Sequence, residues 1–429
     1  MALPKPKQDV TDARLATLTL PQGALWAREA RAEALGRLTA MGLPHGRDEY
    51  WRFTRPDSLN APEAAPAALF DGAEDDIFAA RETLHIVFTD GVFDAAASSA
   101  LEGTGLEIAR LSAAMDADIH WAREFYGKLE ARGQSPVARP FAALNSAIAT
   151  DGVVIRVTGT ADRPVHITYR RESETADVAL HHVIRLEEGA ELTLLENGPA
   201  AARLNAVMEV DVAKGAKFHH VRTQGREHGR RAATHVFAAL GEGSLFKSFT
   251  LTANGAMTRN EAVLWLDGND GVAHVAGASL GDGKDFHDDD TVFITHDALG
   301  CESRQVFKKV LRNGATGVFQ GKILVKPGAQ KTDGYQISQS LLLDGDSQFL
   351  AKPELEIYAD DVVCSHGSTS GAIDETALYY LRSRGIPKER ATDLLTLSFL
   401  AEALEEIEDE GLADEIRDRL EGWLARRRG

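Results

Sequence analysis

Two residue types that bind soft metals stand two positions apart near the C-terminal end of this chain, in the segment ADDVVCSHGSTSG, Ala359 to Gly371. They are Cys364 and His366, and Cys364 is one of only two cysteines in 429 residues, the other being Cys301. In an extended strand, residues i and i+2 point to the same side. A thiolate and an imidazole placed this way could close on one iron, zinc or copper ion. A protonated His366 would favour the thiolate, whereas Asp360 and Asp361 would oppose it if they faced the same way. Two ligands do not complete a tetrahedral site, and two cysteines cannot hold an all-cysteine iron–sulfur cluster. If the pair binds metal, another chain has to supply the remaining ligands. The plain alternative is a buried, inert Cys364 beside a hydrogen-bonded His366.

A second concentration of ligand-type residues is KDFHDDDTVFITHDALGCES, with the pairs His287-Asp288 and His296-Asp297. The pairs would suit a metallohydrolase, but the separation 296 − 287 = 9 is odd, which throws the two histidines onto opposite faces of an unbroken strand. Asp288, Asp289 and Asp290 read as a solvated turn. The adjacent histidines His181-His182 and His219-His220 are weaker candidates, because neighbours in a strand face opposite ways. No Walker-type phosphate loop and no serine elbow is present. The lack of an internally complete active site favours a scaffold over a self-sufficient enzyme.

The elements that would hold these residues change character along the chain. LPQGALWAREARAEALGRLTAMG places Leu20, Ala24, Ala27, Ala34, Leu38 and Met41 at helical spacing, with Gly42 as a stop. LHIVFTDGVFD reads as a strand or hairpin around Asp90-Gly91, and DADIHWAREFYGKLEARG as a second helical stretch. From about Ala142, strand-length runs of period two follow one another, with glycines at their turns. Gly189, Gly215, Gly243, Gly271 and Gly300 are spaced by 26, 28, 28 and 29 residues. A step of this size without intervening helices fits a β-solenoid, one coil per step, better than an antiparallel sandwich with turns every ~8–12 residues. Beyond Asp374, which can cap a helix, the pattern is helical again: Pro387 opens a stretch carrying Leu394, Leu397, Leu400, Leu404 and Ile407, followed by Ile416, Leu420, Trp423 and Leu424. Helices at both ends would cover the open edges of a solenoid.

Composition sets limits. The net charge of −18 opposes non-specific binding to nucleic acid or anionic lipid. No apolar run approaches the ~18 residues of a membrane span, and the N-terminus lacks the apolar core of a secretory signal. The expected setting is the cytoplasm, where thiols stay reduced, so a Cys301–Cys364 disulfide is not expected.

The segment VKPGAQKTDGYQISQSLLLDGDSQFLAKPELEIYADDVVCSHGSTSGAIDETALYYLRSRGI resembles the C-terminal signature of the SufB/SufD family of iron–sulfur cluster assembly proteins. The resemblance is dense from Phe286 to Ile386, with weaker echoes in DEYWRFTRPDSL and LHIVFTDGVF. It is nearer the SufD branch, since SufB-like chains are longer, richer in cysteine and read E-H-E-A where this chain reads CSHGS. Gly334 and Ser368 stand where alanine is commoner in the family, and Ala298 where proline is expected. The resemblance implies a mainly β protein, a right-handed parallel β-helix flanked by helical regions. Its expected divisions are an N-terminal helical region with a short strand or hairpin over 1–140, a β-helix core over 141–371 and a C-terminal helical domain, for ATPase docking, over 372–429. It further implies a complex with a SufB-like paralogue and a SufC-like ABC-type ATPase, a homodimer for the isolated chain, and a reduced flavin in the complex. Cys364 and His366 would then meet the paralogue at the solenoid end and share a transient iron–sulfur cluster with it. Two other readings stand beside this one: a structural subunit that ligates no metal, and a β-helix carbohydrate lyase or hydrolase using Asp288 to Asp290.

Overall fold

The computed structural model describes residues 3–70, 77–225 and 227–426. From Val153 onward, runs rich in Val, Ile, Leu and Phe form strands, because branched and aromatic side chains suit the extended backbone. The turns between them are closed at Gly189, Gly215, Gly243 and Gly300, all with φ between 60 and 70°, a conformation glycine adopts without steric cost. Strands fall alternately into two ten-stranded sheets. Neighbours within each sheet run parallel through the body of the molecule, as Lys217–Gln224 does beside Leu245–Ala253 and Arg231–Leu240 beside Met257–Leu266. The architecture is the parallel β-solenoid that the glycine spacing predicts. The coil step is 246 − 218 = 28 residues near the middle and 364 − 334 = 30 at the end.

Antiparallel strands prolong the sheets at the N-terminal end. Leu84–Thr89 turns through Asp90 and Gly91, both at positive φ, into Val92–Phe93, giving the expected hairpin. Leu84–Thr89 also lies parallel to Val165–Arg170, and Leu106–Arg110 lies antiparallel to Val153–Val157. Helix Leu25–Met41 ends at Gly42, as its pattern predicts, although Leu20 lies outside it and is exposed. The stretch around Trp121 is not one helix. It divides into a 3₁₀ turn, Trp121–Glu124, and helix Lys128–Arg132, because Gly127 between them sits at φ 70°.

The acidic run at 288–290 corrects the sequence expectation. Asp288, Asp289 and Asp290 lie in strand His287–His296 and are 0%, 0% and 4% exposed. Alternation sends Asp288 and Asp290 inward to the Lys309 ammonium, with Asp290 Oδ2 2.6 Å from Nζ. Asp289 faces outward to the buried Arg259 guanidinium and to Thr54. A buried charge is tolerable only when paired and hydrogen-bonded; here the counter-charges come from two other strands, and a loop far away in sequence adds the Thr54 hydroxyl. Even so, burial and the neighbouring Asp288 push the Asp290 carboxyl up to about 7. An acidic triplet locked into ion pairs is no surface calcium or acid–base site, which removes the basis of the lyase reading.

The C-terminal helices Glu375–Ser383, Lys388–Leu404 and Glu410–Arg426 also depart from expectation. They do not cap the solenoid end. Leu400, Leu404, Ile407, Ile416, Leu420 and Trp423 pack with Val221, Phe249, Val306 and Val310 on the outer side of one sheet. Ion pairs from Lys308 to Glu402 and from Lys247 to Glu408 at 3.0 Å reinforce the contact, and His274 Nδ1 shares a hydrogen bond of 2.9 Å with Glu406. Arg427 and Arg428, which the sequence places near the last helix end, lie outside the described residues. With the helices on the side, Val363–Gly371 and Gln348–Ile357 stand as the outermost strands of their sheets.

Candidate functional site

Alternation along Val363–Gly371 puts Cys364, His366, Ser368 and Ser370 on one face, in register with Gly334, Gln336, Ser338 and Ser340 of the preceding coil. Serine pairs confirm that these faces coincide, Ser338 Oγ donating to Ser368 Oγ at 3.1 Å and Ser340 Oγ to Ser370 Oγ at 3.0 Å. This is the inward face of the solenoid. Followed from coil to coil, one inward row runs Leu192, Phe218, Phe246, Ala273, Ser303, Gly334 and ends on Cys364. The adjacent row runs Leu194, His220, Ser248, Val275, Gln305, Gln336 and ends on His366. The candidate pair is thus the last rung of two rows, where the interior opens to solvent.

Cys364 is half-buried against a cluster of Ile323, Val325, Ala329, Leu355 and Ala359. Burial pushes its thiol up, the Gly334 backbone partly offsets this, and Asp333 adds to the rise. Burial therefore dominates the thiol in the isolated chain, and the spacing by which a protonated His366 would favour the thiolate does not reverse it. Asp361 does not oppose it either, being turned to Lys331. A raised thiol still yields to a metal ion, which displaces the proton on binding. His366 is exposed, leaving its imidazole open to an incoming ligand. One sulfur and one nitrogen donor at an open strand edge fit iron in number and softness only as part of a larger set. Among the described residues, no group of three or more His, Cys, Asp or Glu side chains is poised to hold a metal ion.

The surroundings of the pair are apolar and unfinished. Ile357, Tyr358 and Val363 are 40%, 63% and 71% exposed, and they sit at the ends of the two outermost strands. An outermost strand also leaves a row of backbone donors and acceptors for another strand. Sequence patterning could not find this patch, since its residues look like ordinary strand hydrophobics. Only the termination of both sheets exposes them.

Cys301 and the other histidines that the sequence singles out occupy structural positions. Cys301 is buried and free, with its Sγ 3.3 Å from the Gly268 carbonyl oxygen, so the expected absence of a disulfide is met. His287 bonds outward to Thr54 and His296 inward to Ser303, on opposite faces as their odd spacing predicts. His181 reaches Asn145 and Glu209 on one side, while His182 reaches Tyr169 on the other. His219 lies near Glu408 outside and His220 bonds Glu196 inside.

The comparisons with known proteins agree with this architecture. The family described as "SUF system FeS cluster assembly, SufBD core domain" matches residues 169–399. The iron–sulfur cluster assembly protein SufD of Escherichia coli is 30% identical over 404 residues, covering 90% of both chains. A SufBD family protein of Synechocystis is 26% identical over 91% of this chain and 89% of its own. The SufD protein of Bacillus subtilis is 28% identical over 64% of each. A match across more than half the chain, joined to a relative aligned nearly end to end, makes this protein a member of the SufB/SufD family of iron–sulfur cluster assembly proteins, of the SufD type.

Proposed function

We propose that this chain is a non-catalytic subunit of a cytoplasmic scaffold on which iron–sulfur clusters are built. In this reading its solenoid end joins a SufB-like paralogue, and Cys364 and His366 offer one sulfur and one nitrogen ligand to a nascent cluster whose other ligands come from the paralogue. The observation that carries it is the position of the pair on the last inward rung, on an outermost strand flanked by exposed Ile357, Tyr358 and Val363. The cluster is cargo here, and transient binding matches a half-set of ligands. A SufC-like ATPase would dock on the C-terminal helical region, where Tyr379 and Tyr380 are 75% and 54% exposed; aromatic side chains are favoured interface anchors. A reduced flavin in the complex would supply electrons, and no residue of this chain is assigned to it. The outermost strands also suit a homodimer of the isolated chain.

A second reading has its own support. Cys364 packs into the end of the apolar interior with a raised thiol, which suits a subunit that shapes its partner and ligates nothing. Iron and sulfide analysis of the co-expressed complex separates the two. Cys364→Ala and His366→Ala should each lower cluster content while the complex still assembles, with His45→Ala as an exposed control. His296 is unsuitable as a control because it is fully buried and bonded to Ser303. Undiminished cluster content in both variants would establish the structural reading instead.

A further inference from the structure

Gln336, one coil below His366, is fully buried, and its Oε1 has no hydrogen-bond partner among the described residues. Buried acceptors left unmet are uncommon and costly. The direction of this amide is set from beneath. Gln305 Nε2 donates to the Lys322 carbonyl at 3.4 Å, which leaves Gln305 Oε1 to accept from Gln336 Nε2 at 2.7 Å. With its nitrogen turned to Gln305, the side-chain atom of Gln336 left without a partner is its carbonyl oxygen. The amide pair also has dedicated space: a β-carbon at Gly321 on the facing sheet would come within 2.2 Å of Gln336 Nε2 and 2.7 Å of Gln305 Oε1. The next residue in this row is His366.

We infer that Gln336 is a positioning residue for His366. Its Oε1 accepts the N–H of one imidazole nitrogen, so that hydrogen stays on that nitrogen and the other presents its lone pair to iron. Histidine ligands characteristically hold their second ring nitrogen in this way, which settles tautomer and ring orientation. The observed row runs from the Lys322 carbonyl through Gln305 to Gln336, and the assigned bond, which the structure leaves open at Gln336 Oε1, would extend its polarity to His366 at the open end. The inference rests on the reading of His366 as a ligand, but the hydrogen bond it assigns does not need iron in order to form.

The test therefore begins on the metal-free, full-length chain with nitrogen-15 in its histidine rings, in mildly alkaline buffer. The His366 signals are assigned by their loss in His366→Ala. One tautomer should dominate in the wild type. Gln336→Met should shift the tautomer ratio by about fivefold toward that of a solvent-exposed imidazole, the change expected for losing one hydrogen bond of ordinary net strength. Gln336→Glu, which keeps an acceptor in place, should restore it, and Ser338→Ala in the neighbouring row should change nothing. A wild-type ratio already equal to that of an exposed imidazole overturns the inference, whatever the variants do. In the assembled complex, Gln336→Met should retain iron roughly tenfold less well. If His366→Ala leaves cluster content unchanged, the ligand reading falls while the tautomer result stands. If His366→Ala lowers it and Gln336→Met leaves the tautomer unmoved, the positioning role alone is refuted.

Discussion

Cys364 lies directly over Gly334 on the last two strands of one sheet, its Sγ 3.2 Å from the position that a β-carbon at residue 334 would occupy. The missing side chain lets the sulfur fold back toward Ile323 and Ala359 instead of facing the open end. A methyl group at that distance presses on the sulfur without colliding with backbone. Gly334→Ala should leave the fold intact and turn Cys364 outward, so its alkylation in the isolated chain should become severalfold faster. With Cys364→Ala as the blank, an unchanged rate would show that residue 334 does not control the thiol.

The apolar end face makes a prediction about assembly. Tyr358→Asp and Val363→Asp alter side chains that are mostly exposed, and surface changes of that kind usually move stability by no more than about 0.5 kcal/mol. Each should leave thermal unfolding of the isolated chain nearly unchanged. Co-purification with a SufB-like partner should fall sharply, because a charge buried without a partner at an interface is strongly disfavoured. Undiminished co-purification of the double variant would place the partner elsewhere.

The C-terminal helices contain two classes of apolar residue, and they should respond differently. Leu400 is fully buried against the sheet, so Leu400→Ala should cost about 2–5 kcal/mol of stability. Tyr379→Ala with Tyr380→Ala should cost little stability and weaken capture of a SufC-like ATPase. Truncation after Gly371 is a poor test, since it would strip the cover from Phe249, Val306 and Val310. Retention of full ATPase capture by the double tyrosine variant would refute docking on this surface.

Acid should unfold the protein in a defined window. Burial holds His182, His235 and His296 down to about 4, against an ordinary value of 6.5. Between these values the unfolded chain binds more protons than the folded one, so stability is full above about pH 6.5 and drains as pH falls toward 4. Each histidine contributes up to roughly 3 kcal/mol over that interval. Asp290, pushed up to about 7, works in the opposite direction, since its folded form binds the extra proton. Denaturant midpoints measured from pH 7 to 4 should decline. His296→Gln, which removes one such imidazole, should flatten the slope, and an equal slope in that variant would exclude His296 from the effect.

How much was legible beforehand follows from the range of each interaction. The hairpin at Asp90-Gly91, the stop at Gly42 and the opposite facing of His287 and His296 depend on neighbours within a few residues, and all three appear as expected. The fate of Asp288 to Asp290 is not legible locally, because Lys309 and Arg259 are separated from them by a coil of chain. The helices after Asp374 form where their spacing predicts, but they lie along one sheet and not over the solenoid end. Amphipathic spacing says that a face is buried without saying against what.

By itself, the sequence determined the strand alternation, the repeating glycine turns, the helical tail and the pairing of Cys364 with His366 on one strand face. These are consequences of local backbone geometry and of periods of two and 3.6 residues. The family signature lies in the same local strings. Only the tertiary structure decided that the pair forms the last rung of two inward rows, that Gly334 and Gln336 lie beneath it, and that Ile357, Tyr358 and Val363 surround it unburied. Those facts depend on register between coils, whose step varies from 26 to 32 residues, as in 209 − 183 and 354 − 322. A repeat of variable length does not reveal which residues stack, because one residue of slip exchanges the inward and outward faces.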